Sequence, residues 1–322
     1  MRKIFNLTTN EYDIARYSSN AELKRWYGQF GFDGAELMDS GTDPENIVGK
    51  DDVMGVHMKY FYHWVCLWNG DEELTLKEYD SWETCREIFG GVDRDAIVKV
   101  YEKNLEFVRK YEPEYVVFHV CDVSIRDSIT REFTYTDKQT IDAVIELVNT
   151  IFPKEGLGFT LLFENLWWSG LSMLEPELTD HLLKNVNYPK CGVMLDVGHL
   201  LHTNTSLRTE EEGIDYIYSV LDKYDNLDFI KGIHLHQTLN GEYVESVLKD
   251  PITLSGTYYE RLGGIFGHIM KIDSHKPFVS DRIAALVEHI SPEYLVFEII
   301  TSDRDEHERY LREQLSCFPE MS

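Results

Sequence analysis

The sequence predicts a single (β/α)₈ barrel built from residues 1–322, and three observations lead there. Eight short, β-rich apolar runs alternate with helical patterns almost from end to end, which argues for a closed barrel or a doubly wound sheet. Several runs are continuously apolar, as in Tyr115-Val116-Val117-Phe118, the pattern of a parallel strand covered on both faces. The three long connections, 59–92, 121–136 and 236–279, all follow strands, and in a (β/α)₈ barrel active sites form at that end. No G-x-G-x-x-G follows the first run, so a dinucleotide-binding doubly wound sheet loses support.

The expected strands are 2–8, 34–38, 53–58, 115–120, 159–164, 191–196, 229–235 and 294–299. Asn20 is placed to cap a helix ending near Gly31. Segment 93–111 carries Ile97, Val98, Tyr101, Leu105 and Val108 at helical spacing, and 137–151, 176–186, 209–224, 280–290 and 303–315 read similarly. There is no internal repeat, low-complexity tract or linker, so the chain reads as one domain.

Composition bounds the function. Apolar residues make up 43% of the chain, enough for a sizeable core and unlike a disordered segment. Lysine plus arginine number 31 against 57 aspartates and glutamates, a net charge of −26 that repels nucleic acid and anionic membranes. An anionic small substrate stays open, because a bound metal reverses the local field. Cys66, Cys85, Cys121, Cys191 and Cys317 are scattered and form no C-x-x-C, which fits reduced thiols and a cytoplasmic protein. The N-terminus has no apolar signal-peptide core, and no apolar run is long enough to span a bilayer. A homo-oligomer is left open.

The strand ends carry the chemistry. They read Val56-His57, Phe118-His119, Phe163-Glu164, Leu195-Asp196 with His199 three residues on, Ile233-His234-Leu235-His236, and Phe297-Glu298, with Asp273-Ser274-His275 in the loop before the last strand. One histidine at a strand end is an ordinary hydrogen-bonded residue. Six consecutive strands each delivering a histidine or carboxylate to one rim are not, because a buried charge is costly unless paired or metal-bound. Imidazole with carboxylate suits a divalent transition metal, zinc or manganese foremost.

The motifs Gly55-Val56-His57-Met58-Lys59-Tyr60, Phe163-Glu164-Asn165, Met194-Leu195-Asp196-Val197-Gly198-His199, Gly232-Ile233-His234-Leu235, Asp273-Ser274-His275 and Phe297-Glu298-Ile299 occur in this order. Over most of its length the chain thereby resembles the xylose isomerase-like (AP endonuclease family 2) barrels, which include endonuclease IV and the sugar isomerases and epimerases. The resemblance implies one divalent ion held by Glu164, Asp196, His234 and Glu298, as in the isomerase and epimerase branch. It also implies that His57, His119, His199, Asp273 and His275 match the added ligands of the three-zinc cluster of endonuclease IV, so one to three ions are expected.

Tyr60, Trp64, Trp167, Trp168, His199 and His236 are expected to line a substrate pocket, with Phe61, Tyr62 and Trp68 nearby. Such rings stack on sugars or equally well pack long loops onto the barrel. Lys59, His63, His202 and Gln237 also neighbour the proposed ligands. His236 faces the same way as His234 if the strand continues, either as a ligand in its place or as an outer partner. His181, His268, His289 and His307 are read as structural or surface residues. The 59–92 loop holds only Lys59, Lys77 and Arg86 against Asp71, Glu72, Glu73, Glu78, Asp80, Glu83 and Glu87, so DNA is a poor partner and a small carbohydrate-like substrate fits better. There is no G-x-S-x-G, P-loop or H-E-x-x-H.

The leading expectation is therefore a divalent-metal-dependent isomerase or epimerase of a sugar, sugar phosphate or related polyol, with Glu164 and Glu298 moving the proton. The second is a multinuclear hydrolase of a small phosphoester using all nine ligand positions. The third is a barrel that binds a ligand without catalysis.

Overall fold

The computed structural model describes residues 1–44 and 46–319. Eight strands, β1 (Arg2–Thr8), β2 (Gly34–Met38), β3 (Val53–His57), β4 (Tyr115–His119), β5 (Thr160–Glu164), β6 (Cys191–Asp196), β7 (Ile230–His234) and β8 (Tyr294–Phe297), pair in parallel with their sequence neighbours. β8 returns to β1 and closes the barrel. All eight expected strands form, most of them a residue or two shorter than the apolar run that announced them.

The barrel interior is packed, not hollow. Ile4, Tyr115, Val117, Leu162, Met194, Tyr294 and Val296 form a buried layer inside it. Gly55 and Gly232 make room for large neighbours: a Cβ on Gly55 would lie 2.1 Å from the Tyr115 ring, and one on Gly232 2.5 Å from the Met194 sulfur. Large side chains facing glycines fill the volume without strain. This floor ends where the polar residues begin, one inward position further along most strands.

The helices follow the predicted periodicity. The Arg94–Tyr111 helix starts at Asp93, whose carboxylate accepts the Ala96 N–H, and buries Ile97, Tyr101, Leu105 and Val108. The first long helix differs in detail: Ser19, not Asn20, caps it by accepting the Glu22 N–H, and it ends at Gly28. Asn20 instead turns its amide towards Ile47 and Asp52.

The three long connections are structured. Residues 59–92 hold helices Val65–Asn69, Glu72–Tyr79 and Trp82–Phe89, and 236–279 hold Gly241–Lys249 and Tyr258–Ile272. Segment 121–136 holds the Ile125–Thr130 helix and a two-residue strand, Cys121–Asp122, paired antiparallel with Ser169–Gly170. All of this lies beyond the carboxyl ends of the strands and walls in the rim. Among the described residues no helix is long and apolar enough to cross a membrane.

Candidate metal centre

Strand register brings the polar residues to one level. His119 is the register partner of Glu164, and Asp196 that of His234. Parallel strands in register point such neighbours the same way, into the barrel mouth. Asp196 ends β6 and caps the short Val197–His202 helix by accepting the His199 N–H at 2.6 Å, so the D-x-x-H spacing places His199 over the same rim. Asn165 locks that corner, its amide accepting the Asp196 N–H and donating to the Asp196 carbonyl.

The nine expected ligand residues fall into three groups. In the first, His57 Nε2, His119 Nε2 and Glu164 Oε2 are mutually 3.0–3.1 Å apart. Ligands about 2.1 Å from one tetrahedral ion sit about 3.4 Å apart, so this triangle is close to ligand spacing. In the second, His234 Nδ1 lies 3.4 Å from Glu164, 3.7 Å from Asp196 and 3.1 Å from Glu298. In the third, the Asp273 carboxylate lies 3.5 Å from His199 Nε2 and 3.0 Å from His275 Nε2. Glu164 belongs to the first group through Oε2 and to the second through Oε1, and Oε1 also lies 3.2 Å from His199 Nδ1, the nitrogen turned towards the Asn165 carbonyl.

The tautomers are fixed from outside. His57, His199 and His275 each donate Nδ1–H to a backbone carbonyl, of Met58, Asn165 and Glu298, which leaves the Nε2 lone pair facing the centre. His234 is reversed, with Nε2 3.1 Å from the Glu36 carboxylate, so Nδ1 faces inward. Glu36 also accepts the Tyr115 hydroxyl at 2.8 Å. Sequence reasoning missed Glu36, because it sits in the middle of β2 and not at its end. The available signal was a carboxylate inside the run Gly34-Ala35-Glu36-Leu37-Met38, where burial to 3% exposure demands a partner.

Whether these residues fit a metal is tested by what they leave unpaired. Glu164 Oε1, His234 Nδ1, Glu298 Oε2 and Asp273 Oδ1 are buried and have no hydrogen-bond partner among the described residues. Buried acceptors without partners are costly, and cations at the second and third groups would satisfy them, while the first group is matched by its ligand spacing. The residues fit. Burial by itself would raise the Glu164 carboxyl, but the imidazoles of His119 and His234 outweigh it and hold the group well below the usual carboxylate range. Asp273 is held low in the same way by His275 and His199, again against burial.

His236 lies beside the ligands but is not placed to share an ion with His275. The two rings are 3.8 Å apart and 9° from parallel. Metal-binding lone pairs lie in the ring plane, and nearly parallel planes do not meet at one ion. His236 Nε2 lies 2.9 Å from Asp196, so it acts as an outer partner to that carboxylate. Gly198 makes room for it: a Cβ there would lie 2.1–2.8 Å from three atoms of the ring.

Among the expected pocket residues, Tyr60 lies 4.3 Å from the His119 ring and Trp167 4.9 Å from the His199 ring, both at the mouth. Trp168 packs on Trp167 and towards Tyr62. Trp64 is the exception: its indole N–H donates to the Cys121 carbonyl and its ring packs on Trp68, so it holds the loops together. His63 is likewise drawn off by Asp122 at 2.7 Å, Lys59 pairs with Asp39, and Gln237 pairs through its backbone with Lys276. His202 packs on Trp167. His181, His268 and His307 bond to Asp142, Tyr243 and Arg16, and His289 packs near Tyr218, all structural contacts.

The family model described as xylose isomerase-like TIM barrel matches residues 86–317. The probable endonuclease 4 of Halothermothrix orenii is 34% identical over 103 residues, a match spanning 31% of this chain and 37% of that protein. The fold is similar to that of a D-tagatose 3-epimerase-like protein (TM-score 0.53, 14% identity, 99% of each chain covered). It is also similar to endonuclease IV from Thermus thermophilus (TM-score 0.53, 14% identity, 99% of this chain and 100% of that one). A third likeness is the IOLI protein with a binding zinc atom (TM-score 0.52, 14% identity, 100% and 98% covered). At these identities the three structures speak to the fold alone.

Proposed function

This chain belongs to the xylose isomerase-like TIM-barrel family, and we propose that it is a metal-dependent hydrolase cleaving a small phosphoester at a three-ion centre. The observation that carries this reading is the sharing of Glu164 between two ligand groups, one through each carboxylate oxygen, beside a third group at His199, Asp273 and His275. An isomerase needs one ion to polarise its substrate, and the first and third groups would then have no metal role. Divalent ions in these groups would polarise a phosphoryl oxygen and lower the pKa of a water. The chain's own residues do the rest. Glu164 holds two groups at a fixed separation, and Glu36 and the three backbone carbonyls keep imidazole lone pairs turned inward. Asp273 and Glu298, at 17% and 13% exposure, are the most open carboxylates and mark the side from which substrate enters. Tyr60 and Trp167 give that mouth flat walls suited to a small organic leaving group. The acidic 59–92 loop opposes a polyanionic duplex.

The test is hydrolysis of nitrophenyl phosphate mono- and diesters by zinc-loaded protein, beside a duplex containing an abasic site. The expected result is turnover of a small ester, lost in Glu164→Gln, with the duplex uncut. A zinc-replete protein that hydrolyses none of them would remove this reading. One observation supports the isomerase or epimerase alternative: Glu164, Asp196, His234 and Glu298 form a self-sufficient four-ligand group, three carboxylates and one imidazole with ligand atoms within 4.8 Å of one another. Its signature is deuterium incorporation from solvent into a free ketose, read by NMR.

A further inference from the structure

We infer that the three ligand groups hold their ions unequally, and that the ion at His57, His119 and Glu164 is the exchangeable one. This rests on the proposed metal centre, not on the reaction assigned to it. A ligating imidazole depends on an acceptor at its other nitrogen, and losing such a partner weakens metal affinity about 10–100-fold. Four of the five histidine ligands have one: Met58 O for His57, Asn165 O for His199, Glu298 O for His275 and the Glu36 carboxylate for His234.

His119 does not. Its Nε2 faces Glu164 and His57, while its Nδ1 is buried and without a hydrogen-bond partner among the described residues. The Tyr60 ring, 4.3 Å away and tilted by 31°, packs against the imidazole but supplies no acceptor in its plane. The neutral ring therefore has two poor choices. A proton on Nδ1 frees Nε2 to bind an ion but leaves a buried N–H unpaired. A proton on Nε2 satisfies Glu164 but occupies the lone pair that would bind the ion. The metal-free protein favours the second, so loading this group must reverse it. The third group has no such conflict, because both its histidines are already held in the binding tautomer. The second offers four ligands against three.

The experiment is stepwise removal of zinc from the loaded full-length chain by dialysis against increasing nitrilotriacetate, with zinc per chain measured by mass spectrometry. One ion is expected to leave at a free-zinc level about 10–100-fold higher than the other two. That weak step should be absent from His119→Ala and from His57→Ala, and should persist in Asp273→Ala, which loses a tight step. Two variants address the weak group, so misfolding of one leaves the other to decide. Release of all ions in one step, or a weak step surviving both His119→Ala and His57→Ala, overturns the inference. A wild-type protein that takes up no zinc overturns the metal centre itself.

Discussion

Glu36→Gln is the perturbation that reaches furthest into the centre without touching a ligand. Glu36 accepts from His234 Nε2–H at 3.1 Å and from the Tyr115 hydroxyl at 2.8 Å, and both donors are buried. Both bonds end on Glu36 Oε2, so a glutamine oxygen can keep both donors, but the NH2 then takes the place of the oxygen 3.1 Å from the His234 N–H and is itself a buried donor facing a donor. An unpaired buried donor costs about 1–3 kcal/mol of stability. Loss of the charged acceptor behind a ligating histidine weakens metal about 10–100-fold, or about 1.4–2.7 kcal/mol. The assay is zinc competition with a chromophoric chelator, run beside urea denaturation of the metal-free protein. Tyr115→Phe is the control, because it removes one hydroxyl and leaves the His234–Glu36 pair. It should cost about 0.5–1.5 kcal/mol of stability and little zinc affinity. If Glu36→Gln bound zinc within twofold of the wild type, the role given to Glu36 would be refuted.

Three further outcomes are expected. Gly198→Ala pushes a methyl into the His236 ring and should destabilise the protein by about 1–3 kcal/mol in urea denaturation; a change below about 0.5 kcal/mol would mean the ring has room that the packing denies. Glu298→Gln removes a ligand oxygen and should lower zinc occupancy at the second group by more than about tenfold, the lower range for weakening even an outer partner, and unchanged occupancy would take Glu298 out of the centre. His307 is buried beside the Arg16 guanidinium, and burial, helped by that charge, lowers its pKa to about 3. The unfolded chain takes up a proton near pH 6.5 that the folded chain refuses, so stability is lost as pH falls from about 6.5 towards 3. At pH 5 the loss is about 2 kcal/mol, and His307→Gln should flatten the pH 7 to pH 5 difference by that amount in urea titrations.

Much of this was legible in the sequence, for a specific reason. Strands covered on both faces must be continuously apolar, so His57, His119, Glu164, Asp196, His234 and Glu298 stand out at their ends, while the grouping of these with His199, Asp273 and His275 into ligand sets rests on the family resemblance. Glu36 was missed because the contrast was sought at strand ends. His236 shared the facing of His234, but its stack on His275 depends on ring orientation, which spacing does not encode. Trp64 looked like its rim neighbours because the sequence does not reveal which aromatic turns inward; a bond to the Cys121 carbonyl decides it. Asn20 and Ser19 both have capping side chains, and the chain direction entering the helix selects Ser19. The choice between isomerisation and hydrolysis is likewise not encoded in residue types. A list of ligand types does not say that Glu164 is shared, and the sharing is what favours a multinuclear centre.

In the proposed centre nine residues from six strands and their loops gather around three cations at the barrel mouth. Anomalous diffraction at the zinc edge from zinc-loaded crystals measures this directly. Three peaks are predicted: one between His57, His119 and Glu164, one between Glu164, Asp196, His234 and Glu298, and one between His199, Asp273 and His275. A single peak at the second group would contradict the three-ion account, and zinc found only away from the rim would contradict the centre altogether.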